Sequence, residues 1–74
     1  EMEALVQSFS GVDKAYALSA GREVRVFVNA ESVNDMDAQK MAQEIAGNIE
    51  ANLQYPGEVK VSLIRETRCI EYAK

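Results

Sequence analysis

The sequence predicts an α+β domain of two layers in the order α-β-β-α-β, a small mixed three-stranded sheet with its helices on one face. Three observations carry that expectation. Val24, Val26 and Val28 alternate with Arg25 and Phe27 at the two-residue period of a half-buried strand, and Val59, Val61 and Leu63 repeat the pattern after residue 58. Between them, apolar residues recur at the helical period from Ala38 to Leu53. A strand, a crossover helix and a second strand in one sheet run parallel with a right-handed connection.

The first helix rests on Met2, Leu5, Val6 and Phe9, spaced i, i+3, i+4 and i+7, with Gly11 placed for a left-handed turn after it. The apolar pattern is already running at residue 2 with no capping residue before it, so the segment reads as the trimmed end of a longer chain. From Val12 to Ala20 a first strand is expected, with Tyr16 and Leu18 on one side and Ala15 and Ala17 on the other. Ser19, Ala20, Gly21 and Arg22 then turn the chain into the second strand, giving an antiparallel hairpin.

Asn34 is suited to cap the long helix, and Asp35 and Asp37 fall in its first turn, where carboxylates meet the positive end of the helix dipole. At 100° per residue, Ala38, Met41, Ala42, Ile45, Ala46, Ile49 and Leu53 form a stripe roughly 140° wide, and Gly47 lies opposite it. Tyr55-Pro56-Gly57 has the residues of a type II turn and ends the helix. Beyond it, apolar character continues from Val59 through Ile64, Ile70 and Tyr72 and changes phase near Ile64. A bulge or bend is therefore expected around residues 65–67. Strand orders 2-1-3 and 1-2-3 both satisfy the pattern, and analogy with a split β-α-β favours 2-1-3.

Length and composition bound the chemistry. The 74 residues make one domain, 1–74, whose stability should be a few kcal/mol. There is no histidine, which removes imidazole acid/base catalysis, Ser-His-Asp and Cys-His pairs and imidazole metal sites. The single cysteine, Cys69, excludes an internal disulfide and fits a reducing, cytoplasmic setting. A net charge of −4 works against general nucleic-acid binding. No run is long and apolar enough to cross a bilayer, and the first residues lack the pattern of a signal peptide, so no membrane contact is expected of this domain.

Few residues suggest chemistry. The element order matches half of an RNA-binding KH domain of the second topological type, but the GXXG backbone clamp is missing, since Gly47 is followed by Asn48, Ile49 and Glu50. Asp35 and Asp37 are two apart on a helix, do not face each other, and read as dipole partners rather than metal ligands. Cys69 stands beside Arg68 with no base and no second thiol and receives no chemistry. The four arginines fall in two places, Arg22 and Arg25 near the hairpin turn and Arg65 and Arg68 in the last strand, which 2-1-3 order brings onto one sheet. They are either a solvated face with carboxylate partners or the rim of a docking surface.

Residues 11–28 (GVDKAYALSAGREVRVFV), 38–68 (AQKMAQEIAGNIEANLQYPGEVKVSLIRETR) and 70–74 (IEYAK) resemble the C-terminal end of the ribonuclease Y family, bacterial endoribonucleases of the HD phosphohydrolase superfamily. The motifs AGRE, YPG, IRETR and the terminal EYAK carry the resemblance by their order and spacing. It implies a parent with an N-terminal anchor on the inner face of the cell membrane, a coiled coil, a KH domain, a divalent-metal HD domain and this terminal module. In that parent, which initiates mRNA decay, RNA is the substrate and the catalysis lies upstream. An HD site needs histidines, so no catalytic, cofactor or metal residue is carried onto this chain.

Two functions follow as expectations. One is a non-catalytic accessory module that docks on the parent's HD domain or on a homodimer partner. The other is an auxiliary RNA-contacting surface built on the arginines. The residues expected at the interaction surface are Arg22, Arg25, Phe27, Arg65, Arg68, Ile70 and Tyr72, on a sheet face and edges that no helix covers.

Overall fold

The computed structural model describes residues 2–53 and 57–74. Its elements are α1 (Met2–Gln7), β1 (Val12–Leu18), β2 (Glu23–Asn29), α2 (Asp35–Asn52) and β3 (Lys60–Glu66), with a 3₁₀ turn at Ser19–Gly21 between β1 and β2. The α+β class and the element order are those the sequence predicts. Of the expected Tyr55-Pro56-Gly57 turn, Tyr55 and Pro56 lie outside the described residues.

The sheet is ordered β1-β2-β3, so the favoured 2-1-3 order is corrected. β2 takes the centre because it carries the densest apolar face: Val24, Val26 and Val28 are each 0% exposed, which requires neighbours on both sides as well as a helix above. β1 pairs with it antiparallel, and β3 pairs with it parallel from Glu23↔Lys60 to Asn29↔Glu66. That parallel register runs without a slip, so the bulge expected at 65–67 is absent from β3. The irregularity lies instead in β1, between Val12 and Lys14.

β1 also ends two residues earlier than expected, at Leu18. Ser19, Ala20 and Gly21 take φ of 55°, 54° and 85°, a left-handed run that no strand can contain and that reverses the chain within a few residues. α1 likewise stops at Gln7, and Phe9 packs half-buried beside the core from the turn that follows. Gly11 in that turn has φ +95° and stands where an added Cβ would meet the Met41 Cε at 3.2 Å. Its left-handed conformation favours glycine, and a larger residue would also have to displace the Met41 methyl by a few tenths of an ångström.

The pleat sorts the sheet into two faces. Residues paired across strands point the same way, so Ala15, Val24, Val26, Val28, Val61 and Leu63 share the face beneath the helices. From the helices, Met2 and Val6 of α1 and Ala38, Ile45 and Ile49 of α2 close the core, with Val33 of the β2-α2 loop. Met41 and Leu53 of the expected stripe pack partly buried against it, whereas Ala46 is exposed.

α2 starts where expected. The Asn34 side chain accepts the Asp37 N–H at 2.8 Å, and Asp35 and Asp37 occupy the first turn. Gly47 sits exposed mid-helix with nothing within 4 Å of a built Cβ. Gly47→Ala is therefore expected to raise stability by about 0.5–1 kcal/mol, since alanine fits without contact and gains helix propensity. Urea denaturation of the two chains reads the difference directly; a loss of stability would mean that the exposed face of α2 has been misplaced.

After β3 no regular element follows. Residues 67–74 are exposed, including Ile70 at 66% and Tyr72 at 80%, so the expected continuation of the strand through these two residues is corrected. The molecule measures 51 × 26 × 17 Å, and its long axis is close to the roughly 50 Å that residues 60–74 span when extended.

Candidate functional site

The face of the sheet opposite the helices presents the most chemically distinctive surface. Lys14, Tyr16 and Leu18 of β1, Glu23, Arg25 and Phe27 of β2, and Ser62, Ile64 and Glu66 of β3 share it by register and pleat. At its centre the rings of Tyr16 and Phe27 meet edge to face, 6.0 Å between centroids, and Ile64 lies opposite Phe27 on the other side. Tyr16 remains 49% exposed, and Phe27 and Ile64 are half-buried. An aromatic-aliphatic centre of this kind has buried only part of the area it could remove from water.

Charges ring that centre and are tied to one another. Lys14 Nζ lies 5.0 Å from the Phe27 ring centroid and 3.9 Å from Glu66 Oε1. Arg68 Nη2 donates to Glu66 Oε1 at 3.1 Å. Arg25 Nε donates to Glu23 Oε2 at 3.2 Å, and the Ser62 hydroxyl reaches the same oxygen at 3.4 Å. These exposed pairs each contribute little to stability, on the order of 0–1 kcal/mol. They do fix the long side chains as a polar border around the rings.

Of the residues expected at an interaction surface, Arg25, Phe27 and Arg68 come together here. Tyr16 and Leu18 belong with them and were not singled out from the sequence. Their alternation was visible, but their nearness to Phe27 depends on the hairpin register Tyr16↔Arg25, which no local pattern reports. Ile70 and Tyr72 lie beyond the sheet in the exposed tail.

Arg22 and Arg65 are elsewhere, so the expected gathering of the four arginines on one sheet surface is corrected. Arg22 follows the 3₁₀ turn and borders a solvent-open cleft of about 1420 Å³ between α2 and β3, with Ala46, Ile49, Leu53 and Val61. Arg65 pairs with Val28, which puts its side chain on the helix face. There Nε donates to the Val33 carbonyl at 2.7 Å, Nη2 to the Ala30 carbonyl at 3.1 Å, and Nη1 to Asp35 Oδ1 at 2.6 Å. All three guanidinium nitrogens are thus committed to the loop that leads into α2 and to the first residue of that helix.

Cys69 is exposed in the tail. Asp35 is engaged by Arg65, while Asp37 takes its place in the capped first turn. Among the described residues, no three of His, Cys, Asp and Glu cluster closely enough to hold a metal ion. No helix among them is long and apolar enough to cross a membrane.

The molecule is thus a two-layer α+β module in which, among the described residues, no helix covers one face of the sheet. No family model matches the chain, and no solved structure matches it. Curated proteins do. The chain is 59% identical over 73 residues to ribonuclease Y of Nitratiruptor sp., 53% over 73 residues to that of Treponema denticola, and 49% over 74 residues to that of Bacillus velezensis. These matches cover 99–100% of the chain and 14% of each relative. The chain is a small piece of a protein of the ribonuclease Y family, and the share of length agrees with the expected C-terminal domain.

Proposed function

We propose that the chain is a non-catalytic docking module of a ribonuclease Y-type endoribonuclease, and that its open sheet face seats against the nuclease's own upstream HD domain. The observation that carries the reading is the partly exposed Tyr16-Phe27-Ile64 centre inside a border of paired charges. Apolar centres with polar, arginine-containing rims are the anatomy of protein interfaces. The occupant is taken to be a domain of the same polypeptide because the chain spans only 14% of its relatives' length. The expectation of a metal-dependent HD domain and a membrane anchor in the parent, implied by the resemblance, is part of the same reading. In it the metal, the RNA substrate and the anchor all belong to the parent, and this domain stays clear of the membrane.

The alternative, an auxiliary RNA-contacting surface, has less support. Arg65 is committed internally, Arg25 and Arg68 are each paired with a glutamate, and the net charge is −4. Phosphate binding needs free cations gathered on one surface.

Limited proteolysis of the full-length nuclease tests the docking reading. Tyr16→Glu and Phe27→Asp place a charge in the apolar centre, and each should make the junction before this module several-fold more susceptible to cleavage. The Tyr16 position lies on an edge strand and is already half exposed, so that variant keeps the test valid if Phe27→Asp disturbs β2. A folded Tyr16→Glu protein with native cleavage kinetics would end the docking proposal. Steeply salt-dependent RNA binding lost in Arg25→Glu would put the RNA reading ahead.

A further inference from the structure

The two edges of the sheet are not alike. On the β1 edge, the strand is irregular between Val12 and Lys14, and the Ala17 N–H is taken by Glu3 Oε2 at 2.7 Å. A bulge and a carboxylate cap both discourage another strand from pairing there. The β3 edge has neither device. Lys60 N–H donates to the Arg22 carbonyl and the Glu66 carbonyl accepts from Ala30 N–H, both at 2.9 Å, so even-numbered residues of β3 turn their backbone groups towards β2. By alternation, the N–H and C=O of Val61, Leu63 and Arg65 point outward. Among the described residues they meet no backbone partner.

We infer that β3 pairs antiparallel with β3 of a second copy of this chain, about a two-fold axis at Leu63, to give one continuous six-stranded sheet. The charge pattern selects both the partner and the register. With Leu63 opposite Leu63, Lys60 faces Glu66 of the other copy, and symmetry repeats the pair. Both residues lie on the open face by register, so each opposite-charge pair is a same-face cross-strand neighbour. Val61 and Arg65, whose backbone groups point outward, exchange hydrogen bonds across the axis, as do the two Leu63 residues.

Sliding the pairing to the next registers that keep the faces matched destroys this complementarity. An axis at Ser62 sets Lys60 against Ile64, and an axis at Ile64 sets Glu66 against Ser62, so neither register keeps the opposite-charge pair. Registers that place a helix face against an open face fail on apolar burial. On the helix side, Val59 and Val61 are only half-buried and border the α2-β3 cleft, half-buried Leu63 lines a neighbouring hollow with Ala38 and Ala42, and the second copy's Leu63 and Val61 extend that apolar floor. This association leaves the Tyr16-Phe27 face free, so it does not rest on the docking reading and does not fail with it.

Exchanging charges supplies the test, read by sedimentation velocity of the chain across micromolar to millimolar concentrations. The native chain should form a dimer. Lys60→Glu sets glutamate against Glu66 twice, and Glu66→Lys sets lysine against Lys60 twice, so each variant alone should stay monomeric or dimerise at least tenfold more weakly. An equimolar mixture restores both opposite-charge pairs and should form the heterodimer, which also shows that both variants are folded. A native chain that stays monomeric at millimolar concentration would overturn the inference. So would a dimer indifferent to both substitutions, or a mixture of folded variants that fails to associate.

Discussion

Ile45→Ala is expected to leave most of the chain unfolded at 25 °C. Ile45 is 0% exposed and is the largest fully buried side chain, packed in the single core beneath α2. Truncating a buried isoleucine costs about 2–5 kcal/mol from lost transfer energy and the cavity left behind. A domain of this size has a total stability of the same order. Ile49, at 4% exposure, should follow closely, whereas Met36, 81% exposed near the start of the same helix, should tolerate alanine within about 0.5 kcal/mol. Far-UV circular dichroism with urea titration separates these outcomes. If Ile45→Ala and Met36→Ala melt together, α2 does not bury the face assigned to it.

Arg65 carries the second large effect. Its guanidinium satisfies the Val33 and Ala30 carbonyls and holds Asp35, so one side chain binds the β2-α2 loop to the far strand. Arg65→Ala should destabilise the chain by about 1.5–3 kcal/mol, the range for hydrogen bonds to charged groups. Arg65→Lys should recover little of this, because an ammonium cannot span three acceptors set out for a planar fork. Asp35→Asn should cost under about 1 kcal/mol, because the Asp35 side chain is 87% exposed. Equal losses for Arg65→Ala and Asp35→Asn in denaturant titrations would show that the ion pair, and not the carbonyl contacts, is what matters.

Much of the fold was legible because it repeats at short range. The valines of β2, the Asn34 cap and the α2 stripe each announce themselves within a few residues, and the parallel pairing of β2 with β3 across the helix follows from them. Strand order was not legible in the same way, since alternation reports which residues share a face and says nothing of the neighbouring strand. The triple burial of Val24, Val26 and Val28 is what a central position demands, and only the structure exposes it. Ile70 and Tyr72 misled for a related reason: alternation of apolar residues looks the same on an unpaired tail as on a strand.

The candidate site divides along the same line. Phe27 and Arg25 were readable from β2 alone, whereas Tyr16 joins them only through the hairpin register. Arg65 carried a signal that went unused. It is in phase with Val61 and Leu63 on the buried face, and a charged residue at such a position must find polar partners nearby.

The central place of β2 also governs the order in which the sheet assembles. Its partner β1 is joined through a connection of four residues, 19–22, whereas β3 arrives only after the thirty residues of 30–59 have been laid down and α2 formed. Loop closure grows with the logarithm of length, so the second pairing begins about 2 kcal/mol behind the first in chain entropy. The hairpin is then a natural early nucleus, and β3 the strand whose pairing carries the larger entropic cost. A brief departure of β3 uncovers the inner edge of β2 while the hairpin stays intact. Loss of β3 from the sheet therefore bares a half-built sheet, with the inner edge of β2 open to another chain.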